Sequence, residues 1–278
     1  MDIRPLAGAL GAEIRGVALA TLEDERAWRD IHRAFLDYAV LVFRDQTLEP
    51  ADFMRVGGRF GEPCYYPFVT GLEGYPYIFE VVKEEAETTN FGGSWHSDTT
   101  YLREPPLATL LYALETPTHG GDTLFASTRA AYDALSEGMH GMLQGLIGVN
   151  SAALKYGGGR AKMHSKIGGM KVHDTESAEQ YEAEHPIVRT HPDTGRKALY
   201  LSRSHTIRLK DMTEVESRPL IDSLQEHQTR PEFTCRVRWA PGTLTVWDNR
   251  CTQHFAVNDY HGERRRMRRL TVGPQVPR

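Results

Sequence analysis

Apolar positions along this chain change period several times, and each change marks an element. Across residues 21–38, Trp28, Ile31, Phe35 and Tyr38 recur at helical spacing, and Thr21-x-x-Asp24 resembles a capping box, so an amphipathic helix is predicted there. The run Val40-Leu41-Val42-Phe43 reads as a short buried strand. Pro50, a favourable first helical residue, opens a second predicted helix that extends to about Phe60. Strand-like runs follow at 77–82 and 107–114, and helical pattern returns at 128–145.

The last third is patterned more clearly. PIVRTHP and KALYLS flank the turn Asp193-Thr194-Gly195-Arg196 and predict a hairpin. Thr213-x-x-Glu216 predicts the cap of a helix reaching about Gln228. Phe233, Cys235, Val237 and Trp239 then alternate with polar residues, the period of a half-buried strand, and Pro241-Gly242 turns the chain into Leu244-Thr245-Val246-Trp247. Residues 155–185 differ: they are rich in Gly, Lys and His, and read as either a mobile surface insertion or a lid. Many short strands, a few helices and no regular βαβ alternation predict a mainly β fold, a double-sheet core decorated by helices. One domain spanning 1–278 is expected, with 155–185 as a candidate lid insertion.

Composition narrows the function classes. With 25% charged residues and a formal charge of −4, nothing draws the whole chain toward nucleic acid or an anionic membrane. Cys64, Cys235 and Cys251 lack the spacing of a disulfide framework or zinc knuckle and read as structural thiols. Arg4, Glu13 and Arg15 interrupt the first twenty residues, and no apolar run approaches a membrane span, so a cytoplasmic location is expected.

The candidate chemistry begins at His96-Ser97-Asp98, after a glycine-containing turn. In extended chain, residues i and i+2 face the same side, so both can meet one metal. Imidazole and carboxylate, completed by a distant histidine, make the facial triad of Fe(II) oxygen chemistry. The tripeptide alone is weak evidence: 12 His and 15 Asp in 278 residues give roughly 0.65 such matches by chance. A second one, His191-Pro192-Asp193, falls in the hairpin turn and reads as structural. His254, just after the strand ending at Trp247, is a candidate for the distant ligand. Downstream, with period 2, Arg265, Met267, Arg269 and Thr271 share one strand face and Arg264, Arg266 and Arg268 the other. Two arginines on an inner face require anionic partners, because unpaired buried charge is costly. A dicarboxylate and an anionic substrate fit guanidinium forks.

Trp95-His96-Ser97-Asp98, Gly120-Gly121-Asp122-Thr123 and WDNRCTQHFAVNDY (247–260), followed by the arginine cluster, closely resemble the taurine dioxygenase family, which includes 2,4-dichlorophenoxyacetate and aryloxyalkanoate dioxygenases. The resemblance runs from ALGAEIRGVAL (9–19) through VLVFRDQTL (40–48) to the C-terminal strand. It implies a double-stranded β-helix, or jelly roll, flanked by helices. It also implies Fe(II), 2-oxoglutarate as cosubstrate and O2. His96, Asp98 and His254 match the iron ligands, and Thr123 and Arg265 match the cosubstrate contacts. Arg269 matches the arginine that receives the substrate's acidic group. Where taurine dioxygenases carry a histidine and a tyrosine for substrate, this chain presents Tyr66 and Val69, and Gly92 replaces their asparagine. A small carboxylate or sulfonate other than taurine is therefore expected. Tyr65, Tyr66, Phe68 and Tyr101 are candidates for an aromatic pocket.

The resemblance implies a dioxygenase that hydroxylates its substrate, with C–O, C–N or C–S cleavage where the oxidised carbon bears a heteroatom. The carboxylate at Asp98 argues against the halogenating variant. Desaturation or cyclisation by the same chemistry is the alternative outcome. A non-enzymatic metal-binding jelly roll would need neither Arg265 nor Thr123, and a nucleic-acid reading rests on the basic patch alone. Family members are often dimers or tetramers, so a homo-oligomer is a further expectation.

Overall fold

The computed structural model of the chain describes residues 1–156 and 180–278. Eight strands share its largest sheet: β1 (Asp2–Pro5), β2 (Ala12–Arg15), β3 (Val40–Phe43), β4 (Pro63–Cys64), β5 (Phe79–Lys83), β6 (Pro106–Glu115), β14 (Leu244–Asp248) and β16 (Arg265–Pro274). Neighbours run β1-β2-β3-β14-β6-β16-β4, and β5 also pairs with β16. Every pairing is antiparallel except β2 with β3. A second sheet orders β7 (Thr123–Ser127), β13 (Thr234–Val237) and β15 (Thr252–Ala256) as β13-β7-β15. A third sheet joins β12 (Thr206–Leu209), β8 (Ile147–Ser151) and β9 (Glu182–Pro186), and β10 (Val188–Thr190) pairs with β11 (Lys197–Leu199).

The large sheet is covered on both faces, which explains its continuous apolar runs. Leu41, Phe43, Leu110, Leu244, Val246 and Leu270 point to one side. There they meet Trp28, Ile31 and Phe35 of α1 (Glu25–Tyr38) and Phe53 and Val56 of α2 (Pro50–Gly58). Val40, Val42, Phe79, Leu111, Trp247 and Met267 point to the other, where Phe125, Cys235 and Val237 of the three-stranded sheet close the layer. Each such side chain contributes about 1.5–3 kcal/mol relative to exposure. The candidate functional residues sit in this second layer, between the two sheets.

Local chemistry moves several element boundaries. Helix α1 begins at Glu25, because Asp24 rather than Thr21 caps it, accepting from the Arg26 N–H. Residues 128–145 form two short helices, α3 (Thr128–Asp133) and α4 (Glu137–Leu143), each opened by its own serine cap, Ser127 and Ser136. The second predicted helix ends at Gly58, before the expected Phe60. The hairpin forms as β10–β11, and the Thr213–Glu216 capping box opens a helix at Glu214–Gln228. Of the candidate lid, residues 157–179 lie outside the described residues, while Glu182–Pro186 is strand β9. No helix among the described residues is long and apolar enough to cross a membrane.

Candidate active site and metal centre

Two backbone hydrogen bonds bring the sequence-distant candidate ligands together. The His96 N–H donates to the His254 carbonyl (3.1 Å), and the His254 N–H returns one to His96 (2.9 Å). The imidazole centroids lie 4.2 Å apart. Thr99 follows Asp98 in the left-handed region, with φ of 44°, and turns the chain away. Asp98 Oδ1 then lies 3.7 Å from His96 Nε2 and 3.8 Å from His254 Nε2. His96 Nδ1 sits 2.6 Å from the Ser94 carbonyl, so it carries the proton and leaves the Nε2 lone pair toward Asp98 and His254. His96, Asp98 and His254 are all buried.

The donor set fits a divalent cation such as iron. Asp98 Oδ2 accepts from the Thr109 hydroxyl (2.7 Å) and is ion-paired with Arg269 Nη2. Asp98 Oδ1 is buried, accepts no hydrogen bond among the described residues, and faces the two Nε2 atoms. Burial alone would raise the Asp98 pKa. The charge of Arg269 beside it, aided by the two histidines and Thr109, instead holds the carboxyl well below the usual range. The candidate ligand set is thus two imidazoles and one ionised carboxylate.

Behind Asp98 lies a relay that sequence reading missed. Thr109 Oγ1 accepts from Asn249 Nδ2 (2.8 Å), and Asn249 Oδ1 accepts from Trp247 Nε1 (2.9 Å). Thr109 and Trp247 are cross-strand partners in β6 and β14. The WDN motif was visible in the sequence, but its connection to Asp98 exists only once these strands pair.

Strand β16 keeps the predicted alternation. Arg265 and Arg269 are buried, whereas Arg264 and Arg266 turn outward to Glu84 and Glu80. Arg265 Nε and Nη2 have no hydrogen-bond partner among the described residues, although the guanidinium bonds the Tyr260 side chain and lies 5.5 Å from the Trp239 ring. Burial depresses the Arg265 pKa, against the nearby Tyr260 and Asp122. Trp239 Nε1 also donates to Thr123 Oγ1 (3.0 Å), so one unpredicted indole joins both expected cosubstrate contacts. The Gly120-Gly121 pair is needed for this placement. Gly120 has a φ of 76°, and a Cβ there would stand 2.9 Å from the Asp259 carbonyl. Gly121 N–H donates to Asp259 Oδ1 (2.7 Å) just before β7 begins at Thr123.

The Arg269 guanidinium sits among Tyr66 (5.2 Å), Trp247 (5.7 Å) and Phe79 (5.8 Å), so Tyr66 belongs to this centre. Tyr101 is one layer removed. It packs with Phe68 and against His205, whose ring stands edge-on to His96 at 5.9 Å. Tyr65 does not join them: it is 64% exposed and rests on Tyr77. Val69 packs at the edge of the inter-sheet cluster. Gly92 lies against the candidate metal centre, where a Cβ would lie 3.6 Å from His96 Cε1.

The second His-x-Asp serves another network. His191 Nε2 is 2.9 Å from Asp248 Oδ2, while Arg250 donates to both Asp248 oxygens and to Asp193. His191, Asp248 and Cys251 are close enough to resemble a metal cluster, but Arg250 occupies the carboxylate. Burial pushes the Cys235 and Cys251 thiols up to about 12, consistent with structural roles.

Residues 2–271 match the family described as taurine catabolism dioxygenase TauD, TfdA. An alkylsulfatase of Acinetobacter baylyi is 36% identical, covering 99% of this chain and 86% of its own. An alpha-ketoglutarate-dependent sulfate ester dioxygenase of Pseudomonas putida is 37% identical, covering 100% and 91%. The crystal structure of a taurine dioxygenase from Burkholderia xenovorans superposes with a TM-score of 0.81 at 32% identity, covering 99% of this chain and 90% of that one. On the extent of these matches, and with His96, Asp98 and His254 converging as they do, the chain belongs to the taurine catabolism dioxygenase TauD, TfdA family.

Proposed function

We propose that this protein is an Fe(II)- and 2-oxoglutarate-dependent dioxygenase acting on small organic sulfate esters or sulfonates, and that its two stacked sheets form a double-stranded β-helix. The observation that carries the reading is the buried convergence of His96, Asp98 and His254 with two inward arginines on one strand face. His96, Asp98 and His254 would hold the iron. Arg265 and Thr123 would take 2-oxoglutarate, and Arg269, boxed by Tyr66, Phe79 and Trp247, would take the substrate anion. Held there, Fe(II) with 2-oxoglutarate would supply O2 activation, one oxygen atom leaving in succinate alongside CO2 and the other becoming available to hydroxylate the substrate.

The chain's own residues bind, orient and exclude water. Arg269 anchors the acid group, which places the adjacent carbon toward the metal ligands. The aromatic walls keep bulk water from the reacting carbon. Hydroxylating the carbon that bears a sulfate ester oxygen gives a hemiacetal-like sulfate. Its C–O bond breaks to an aldehyde as the hydroxyl proton leaves with sulfate. Sulfate esters are preferred because relatives at 36% and 37% identity carry the names alkylsulfatase and sulfate ester dioxygenase. A relative 33% identical, named an (S)-phenoxypropionate/alpha-ketoglutarate-dioxygenase, makes aryloxy carboxylates the second class.

The test incubates the Fe(II) protein with 2-oxoglutarate, O2 and a panel of alkyl sulfates, alkyl sulfonates and aryloxy acids. Succinate is expected to form in step with released sulfate for at least one alkyl sulfate. Succinate formation coupled only to aryloxy acids would move the assignment to carboxylates. No coupled turnover with any anion would overturn it.

A further inference from the structure

Beside Arg265 lies a second buried cation that no sequence motif marks. Lys83 ends β5, and its Cα partner across the sheet is Arg265. Along β5, Phe79 and Val81 enter the inter-sheet layer, and the alternation carries Lys83 to the same face. Lys83 is 3% exposed. Its ammonium lies 4.5 Å from the Tyr260 ring centroid and donates a long hydrogen bond to the Tyr260 carbonyl (3.4 Å). Arg265 bonds the side chain of the same tyrosine.

Neither cation has a carboxylate partner among the described residues, because the neighbouring acids are engaged elsewhere. Asp122 pairs with Arg236 at 2.5 Å. Asp259 holds the Gly121 N–H and also faces Arg236. Glu84 pairs with Arg264. Glu87 accepts from the Glu84 N–H and acts through space on Tyr260, but forms no ion pair with Lys83 or Arg265 among the described residues. Asp122 still acts on Arg265 through space, but two adjacent buried positive charges with no directly paired carboxylate are a costly arrangement in an isolated fold. The face they share is the one that presents Thr123 and Trp239.

We infer that Lys83 is a second cosubstrate-binding residue, acting with Arg265 on the distal carboxylate of 2-oxoglutarate. The inference rests on the cosubstrate reading above and extends it to specificity. Arg265 offers its unpartnered Nε and Nη2 as a fork for two carboxylate oxygens. Lys83 adds a point charge from the neighbouring strand, with no demand for a set angle. The pair makes the pocket selective for a 2-oxo diacid over a 2-oxo monoacid of equal length. The rival role for Lys83 is a structural cation resting on the Tyr260 ring, whose loss would not distinguish these ligands.

The experiment titrates the Mn(II)-loaded protein with 2-oxoglutarate and, separately, with 2-oxopentanoate, which lacks the distal carboxylate. The variants are Lys83→Met, Lys83→Gln and Lys83→Arg, with Mn(II) affinity and thermal melting measured alongside. Both neutral variants are expected to weaken 2-oxoglutarate about tenfold or more, leaving 2-oxopentanoate and Mn(II) binding unchanged. Lys83→Arg is expected to recover much of the loss. Unchanged 2-oxoglutarate binding in a folded neutral variant would overturn the inference. Equal weakening of both 2-oxo acids would also overturn it, as a packing defect. A wild-type protein that binds Mn(II) but not 2-oxoglutarate would refute the cosubstrate reading itself, which separates the two failures.

Discussion

Thr109→Val tests whether the relay behind Asp98 holds this proposed metal ligand in place. The substitution is nearly isosteric at a fully buried β6 position, so it removes a hydroxyl and leaves the packing. Two interactions go at once: the 2.7 Å bond to Asp98 Oδ2 and the 2.8 Å bond from Asn249 Nδ2. A hydrogen bond to a charged acceptor contributes about 1.5–3 kcal/mol, and a stranded buried donor costs about 1–3 kcal/mol more. Part of this loss appears as lower stability of the metal-free protein. The part that reaches the metal comes from orientation, since Asp98 without Thr109 is held on Oδ2 by Arg269 alone. Replacing groups that orient metal ligands typically lowers affinity about 10–100-fold, or about 1.4–2.7 kcal/mol. Anaerobic Fe(II) and Mn(II) titrations measure this directly, with Thr109→Ser as the variant that restores the hydroxyl. Wild-type metal affinity in a folded Thr109→Val protein would refute the argument, as would a serine variant no better than valine.

Three further outcomes follow from the same geometry. Arg265→Ala should chiefly raise the KM for 2-oxoglutarate, whereas Arg269→Ala should raise that for the primary substrate and, through its lost ion pair with Asp98, also weaken metal binding; steady-state kinetics showing the reverse effects on the two KM values would exchange the two roles. Asp248→Asn should destabilise the fold by about 3–5 kcal/mol in denaturant titrations, because Arg250 and His191 lose the charge they share. Although burial opposes it, hydrogen bonding and charge from Arg250 and His191 hold the Asp248 pKa below its unfolded value of about 3.9. Its stabilisation is therefore full above that pH and fades as pH falls through it toward the folded pKa, so the variant should show a flatter acid limb. At pH 8 in native buffer, a thiol reagent should leave Cys235 and Cys251 unmodified, and denaturant should expose both; rapid native labelling of either would contradict their burial.

The amino-acid order by itself determined those features that depend on neighbours a few positions apart. Period 2 in 264–272 assigned Arg265 and Arg269 to one face before any fold was known, since side chains in an extended strand alternate. The Thr213–Glu216 box and the Gly-containing hairpin turn were equally local, as was the rejection of His191 and Asp193. Thr21 misled because Asp24 supplies the better-placed cap, and the helical pattern over 128–145 divides into two helices where Ser136 opens the second. Family motifs extended this reach to Thr123 and His254, but only by likeness to other chains.

Tertiary structure alone decided what stands around those residues. Tyr65 and Tyr66 are adjacent in sequence and equally aromatic, yet one lies on the surface and the other against Arg269. Thr109 and Asn249 are 140 positions apart. Lys83 meets Arg265, and Trp239 joins Arg265 to Thr123, through pairings that no local period encodes. The physical reason is that strand register is set by burial across both sheet faces at once. His96 and Asp98 could be proposed as metal ligands from their own residue types, whereas the groups that orient and charge them follow from the register.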